Sequence, residues 1–352
     1  MFDNPTPEQV QRGRRRRLFF LISFFVVTFS AICVVTVLLV RDAILGDRRE
    51  PVAVLTGARV FTLAELPGER AYPEALTIGP DDAIYVGSFC TGDIWRVSPA
   101  GERTLYFDGD DGIGAASGLA FAPDGSLYVA DRGDCDPRSG TASIKRILPD
   151  ASAAERVGDI DSEDIPNSLA FDTEGVLYLT DTQHGNVRYL TEGGQFDTWW
   201  ALPDVDGEDA RPTGLAYDSG TDSLLVADTQ SGTIYRVGFD TNRQATTPET
   251  LYQQGTRDLD GLTVDPSGRI YVTLFDLHKV ALFQEGFGLT ILAEDFREPS
   301  DVAYLDGVVY VTNFDSVSLA PIISWIIDPS LPFTVDAIEL PEEFQVGVAE
   351  DN

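Results

Sequence analysis

Short apolar runs alternate with polar turns through most of the chain, and one compound unit of them recurs. Its clearest copy begins at Pro166. It reads as an apolar strand (Asn167-Ser168-Leu169-Ala170-Phe171), a tight turn (Asp172-Thr173-Glu174-Gly175) and a second apolar strand that ends on Asp181. The second strand returns at Ala83–Phe89, Ser126–Arg132, Val176–Thr182, Ser223–Thr229, Arg269–Phe275 and Val308–Phe314. Aligned on Tyr85, Tyr128, Tyr178, Leu225, Tyr271 and Tyr310, the steps are 43, 50, 47, 46 and 39 residues. A period near 45 holds about four strands of roughly six residues with their turns, which is one propeller blade. The pattern predicts an all-β fold, a six-bladed β-propeller over residues 59–341. It also predicts that Val60–Leu66 closes the ring as the outer strand of blade six, since closure removes an exposed sheet edge.

Ahead of the repeat the pattern changes. From Leu18 to Val40 there are 23 residues without a charge, after Arg12 and Arg14–Arg17. At about 1.5 Å per residue this run is long enough to cross a hydrocarbon core of about 30 Å. It exceeds a signal-peptide apolar region and lacks a small-residue cleavage site. The reading is a basic cytoplasmic tail (1–17), a single N-terminal transmembrane helix in membrane lipid (18–40, an uncleaved signal anchor) and a linker (41–58). The Arg cluster stays inside, so the propeller is extracytoplasmic. Residues 342–352 form an acidic tail, and the apolar Leu319–Ile327 segment has no assigned role.

Charge narrows the partners. The chain has 25 basic and 57 acidic residues, for a formal net charge of −32. Such a surface repels phosphate backbones and excludes nucleic acid. Much of it is ordinary solubility, but carboxylates gathered at one channel would also attract a divalent cation. Of the three cysteines, Cys33 lies in the apolar run. Cys90 and Cys135 follow the second strands of blades one and two at matching loop positions, either bridged or as two loop thiols.

In a propeller the first strand of each blade lines the central channel. The residues expected just ahead of these strands are Glu74, Ser117, Asn167, Thr213, Asp260 and Ser300. All six carry side-chain oxygens, a donor set suited to Ca²⁺. Ser117, Thr213 and Ser300 read as turn caps. Glu74, Asn167 and Asp260 read as metal ligands, because two carboxylates and an amide on one axis repel or stay unpaired without a cation. His184 and His278, in loops after second strands, are the candidate bases among the histidines. Asp131, Asp181 and Asp228 close three second strands and read as structural turn acids. The chain holds no G-x-S-x-G, H-E-x-x-H, Walker loop or paired C-x-x-C, which argues against serine-triad, zinc-protease and nucleotide chemistry.

The repeated P-x-G-L-A-x-x-x-x-G-x-L-Y-V-x-D sentence resembles the gluconolactonase/regucalcin (SGL) family. More widely it resembles the six-bladed calcium-dependent phosphotriesterase superfamily, which includes paraoxonase and strictosidine synthase-like propellers. Glu74 in Tyr72-Pro73-Glu74 resembles the family's first metal ligand, Asn167 the blade-three asparagine, and Asp260 the aspartate that is both ligand and proposed base. Thr213 stands where the family has asparagine. The resemblance implies a Ca²⁺-dependent hydrolase of a small-molecule lactone or ester, with Asp260 catalytic. The alternative is a non-catalytic propeller that binds a ligand or partner protein.

Overall fold

The computed structural model describes residues 7–45, 50–136, 141–158, 160–161, 163–253, 258–319 and 328–344, and statements of structure concern these. Most of the apolar segment 319–327 and the acidic tail beyond residue 344 lie outside them. The chain divides into two units at Arg49/Glu50.

The first unit is one helix, α1 (Pro7–Leu45). Its 20-residue stretch Arg17–Thr36 is apolar and long enough to cross a membrane, and its large side chains are exposed, with Phe19, Phe20, Phe25 and Phe29 all about 70% accessible. A helix that is apolar on every side needs an apolar surround.

The second unit is a ring of six sheets. Two short strands come first, β1 (Val52–Ala53) and β2 (Arg59–Leu66). Blade one is β3–β6 (Pro73–Ile78, Ile84–Ser88, Ile94–Val97, Arg103–Phe107), and blade two is β7–β10 (Ala116–Phe121, Leu127–Asp131, Ser143–Ile147, Ala154–Val157). Blade three is β11–β14 (Pro166–Phe171, Leu177–Asp181, Asn186–Leu190, Phe196–Ala201), and blade four is β15–β18 (Pro212–Asp218, Ser223–Asp228, Thr233–Gly238, Glu249–Gln253). Blade five is β19–β22 (Leu259–Val264, Ile270–Leu274, Lys279–Gln284, Gly288–Glu294). Blade six takes β23–β25 (Pro299–Leu305, Val308–Asn313, Phe333–Glu339) and borrows β2 as its outermost strand, antiparallel to β25. That is the edge position the sequence predicts for Val60–Leu66. The stretch 41–58, expected as linker, is partly built into the propeller instead. Val52–Ala53 pairs with Glu294 and Ala293 on the edge of blade five, and Leu55 and Ala58 pack on the core there. Two residues are too short a run to show as a strand in the pattern.

Burial explains why the second strands carry the strongest sequence signal. Every residue of β4, β12, β16 and β20 is buried, because these strands are covered by a blade on each face. The outer strand Arg103–Phe107 is mostly exposed. The repeated turn has a local cause. Asp172 Oδ1 accepts the N–H groups of Glu174 and Val176, both at 2.9 Å, while Gly175 takes a left-handed φ of 81°. Asp265 repeats this with Ser267 and Arg269. The second carboxylate oxygen of each turn acid accepts a tyrosine hydroxyl from the following strand, Tyr178 at 3.2 Å and Tyr271 at 3.1 Å. The acids ending second strands are structural, tying the loop that enters a blade to the loop that leaves it. Asp131 accepts from the N–H groups of Gly114, Ala115 and Gly133, Asp181 from Ile165 and Gln183, and Asp228 from Arg211 and Gln230.

A candidate cation site at the mouth of the central channel

The six first strands run side by side around the axis and share one irregularity. The ladder to the second strand slips between Pro73 and Ala75, Ala116 and Gly118, Pro166 and Leu169, Pro212 and Leu215, Leu259 and Leu262, and Pro299 and Val302. Glu74, Ser117, Asn167, Thr213, Asp260 and Ser300 each sit in the slipped interval. The sequence places them ahead of the strands; the structure places them one residue inside, at a bulge. A bulge breaks the two-residue alternation and re-aims a side chain, which is how a residue after a buried first position also reaches the channel.

Glu74 is 91% buried, and its Oε2 has no hydrogen-bond partner. Its pKa is raised well above the ordinary value by burial, then by repulsion from Asp260 and Asp301, with Arg132 acting the other way. Asp260 is raised well above its ordinary value by burial and by Asp301, while a bond to the Thr213 hydroxyl opposes the rise. Asp301 is the residue that sequence reasoning missed. It follows Ser300 at a position that is glycine in blades two, four and five (Gly118, Gly214, Gly261), so nothing in the repeat marks it. Its Oδ2 accepts Leu76 N–H of blade one at 2.9 Å and its Oδ1 accepts Val302 N–H at 2.8 Å. Burial pushes it up to about 7. A cavity of about 350 Å³ is walled by the first strands of all six blades, with Ser168 and Asp301 in its lining. Burial thus raises all three carboxylates, Asp301 adds repulsion at Glu74 and Asp260, and one oxygen of Glu74 is orphaned. Hard anionic oxygens in that state make the channel mouth a candidate site for a divalent cation.

The histidines separate. His278 is exposed, and its Nδ1 lies 3.4 Å from the Glu298 N–H, the geometry of a loop cap. His184 Nδ1 lies 2.8 Å from Asp181 Oδ2 and 3.2 Å from Asp164 Oδ1, with the ring 43% exposed. Among the described residues this is the group of three acidic or imidazole side chains whose ligand atoms converge within 4.8 Å. Glu74, Asp260 and Asp301 stand wider than that. The Arg188 guanidinium already binds Asp164 and lies 4.0 Å from Asp181, so the cluster carries its own cation. It is better described as a partly exposed histidine whose Nδ1 is held by two buried acids.

The bond to Asp181 raises the His184 pKa above 6.5. The bond's stabilisation is therefore full below 6.5 and is lost as pH rises through the folded value. With two histidines in the chain, an NMR titration resolves each. His184 is expected to titrate above 6.5, and Asp181→Asn to lower it; a wild-type midpoint at or below 6.5 would contradict the assigned bond.

Cys90 and Cys135 are joined by a disulfide, Cα atoms 4.4 Å apart, linking the upper loops of blades one and two. Cys33 is free and exposed on α1.

Residues 195–292 match the sequence profile of the SMP-30/Gluconolactonase/LRE-like region. A gluconolactonase of Zymomonas mobilis is 26% identical over 183 residues, 45% of this chain and 49% of the relative. The propeller resembles the SGL family over these stretches. The match spans about half the length of that curated relative. Among solved structures, a gluconolactonase from Xanthomonas campestris superposes on the propeller with a TM-score of 0.62 at 16% identity, covering 83% of this chain and 95% of the other. A luciferin-regenerating enzyme gives 0.59 at 15% identity, covering 80% and 95%. At those identities the likeness shows the fold alone.

Proposed function

We propose that this SGL-like propeller is a divalent-cation-dependent lactonase or esterase, tethered by α1 in a membrane with the propeller on the extracytoplasmic side. The observation that carries the reading is the buried, unpartnered Glu74 Oε2, set in one channel with Asp260. Glu74, Asn167 and Asp260 would hold the cation, with Ca²⁺ favoured by the all-oxygen donors. Such an ion polarises a lactone or ester carbonyl and acidifies a water molecule.

The chain's own groups do the rest. Asp260, made more basic by burial and by its like-charged neighbour, takes a proton on a carboxylate oxygen, while the Thr213 hydroxyl fixes its orientation. Arg132 adds positive potential near Glu74 at an otherwise acidic mouth. His184, with Nδ1 held by Asp181, offers Nε2 as a second proton acceptor on the same face, whereas His278 serves its loop. The arginines in the N-terminal part of α1, Arg12 and Arg14–Arg17, support an inward N-terminus.

The test is a panel of small lactones and aryl esters assayed after EDTA treatment, then with Ca²⁺ restored. Turnover that disappears with chelation and returns with Ca²⁺ is expected. Absence of turnover on the whole panel, with the cation still bound, would leave a propeller that binds a ligand or a partner protein without catalysis.

A further inference from the structure

The six channel-mouth residues divide by blade. In blades two, four and six the side chain is a hydroxyl, and each one donates to a backbone carbonyl of the next blade. Ser117 Oγ donates to Pro166 O at 2.9 Å, Thr213 Oγ1 to Leu259 O at 3.2 Å and Ser300 Oγ to Glu74 O at 2.7 Å. The first two acceptors are the carbonyls immediately before Asn167 and Asp260, and the third belongs to Glu74 itself. Each hydroxyl therefore grips a carbonyl at, or immediately before, a residue whose side chain carries the charge or amide.

In blades three and five the bond to the following blade is made by a different residue. Thr180 Oγ1 donates to Thr213 O at 2.7 Å and Thr273 Oγ1 lies 3.3 Å from Ser300 O, both from second strands. That arrangement releases the side chains of Asn167 and Asp260 from seam duty. Glycine completes the close approach. A Cβ on Gly118 would stand 1.9 Å from Asn167 O, and one on Gly214 would stand 2.3 Å from Asp260 O. Thr312 reinforces the last seam by donating to Glu74 O at 3.1 Å.

We propose that Ser117, Thr213 and Ser300 are positioning residues for Asn167, Asp260 and Glu74 respectively, so that the cation site draws its protein ligands from alternate blades. Thr213, where the wider family has asparagine, is on this view the grip on Asp260 rather than a missing ligand. The inference rests on the central-cation reading, and it concerns how three side chains are aimed, through backbone bonds worth about 1 kcal/mol each and, at Thr213, also through the hydroxyl's bond to the Asp260 carboxylate.

Tb³⁺ luminescence on the full-length protein in detergent tests it, reading affinity and, from lifetimes in H₂O and D₂O, the number of coordinated waters. Thr213→Val, Ser117→Ala and Ser300→Ala are each expected to weaken Tb³⁺ binding about fivefold with the water count unchanged. Thr213→Ser, which keeps the hydroxyl, is expected to retain wild-type affinity. Glu74→Gln should lose the bound ion. Unchanged affinity in all three hydroxyl deletions, with melting temperatures intact, would overturn the division of labour. A gain of one water in Thr213→Val would overturn it too, by making Thr213 a ligand. Wild-type protein that fails to bind Tb³⁺, or Glu74→Gln that binds it equally well, would remove the central-cation reading itself.

Discussion

Replacing Asp260 by asparagine is expected to lower kcat/KM on a lactone or aryl ester by about 10³-fold while raising the melting temperature of the metal-free protein. The two effects have one origin. Asp260 is a half-buried, desolvated carboxylate in the field of Asp301, and it in turn raises Glu74. Asparagine keeps the shape and can still accept from the Thr213 hydroxyl, but it carries no charge for a cation and is not a base. In EDTA the folded values of Glu74 and Asp260 lie above their unfolded ones. Their contribution is thus most favourable below about pH 4 and is lost as pH rises through the folded values. Asp301, at about 7, extends the window to neutrality. Wild-type melting temperature in EDTA should fall across this range, and Asp260→Asn should flatten the fall. Scanning calorimetry against pH, paired with the lactonase assay, checks both. A variant that keeps its turnover, or loses it with no gain in metal-free stability, would mean that Asp260 is not the strained catalytic carboxylate.

The second large effect concerns Cys90 and Cys135. Their bridge closes a 45-residue separation, for which chain-entropy arguments give about 4 kcal/mol. Cys90 also packs in the buried cluster with Phe89 and Ala115, against which Cys135 is seated. The double variant Cys90→Ser/Cys135→Ser is expected to lower the melting temperature by roughly 5–10 °C, and reductant should bring wild-type protein to a similar value. Identical melting curves for wild type and variant, or equal masses after reducing and non-reducing alkylation, would rule out a structural bridge.

Much of the fold is legible because its causes are local. The Asp–x–x–Gly turn is specified within four residues, and fully buried second strands are mostly apolar, with their few polar side chains near the ends, so period and blade number can be read directly. The channel-mouth positions are legible for the same reason, as a fixed offset before each Leu or Val of the first strand. What the pattern hides is whatever depends on contacts between blades. Nothing within Ser117-Gly118-Leu119 shows that its hydroxyl reaches Pro166 of the next blade, 49 residues on. Asp301 is equally silent, since its partner Leu76 lies 225 residues away. His184 stands out as a rare residue, but its orientation needs Asp164, which belongs to the loop entering the blade. The two-residue strand Val52–Ala53 is short enough that only the edge it covers reveals it.

The pairing of β2 with β25 has a consequence for biosynthesis. Thr62 bonds Asp336 across 274 residues of chain, so a strand translated early must wait, with its backbone groups unpaired, until nearly the whole propeller has left the ribosome. The toroid cannot lock blade by blade during translation, and blades one to five remain an open arc until the last strand arrives. For that interval the sheet edge Arg59–Leu66 is the segment most in need of protection by a chaperone.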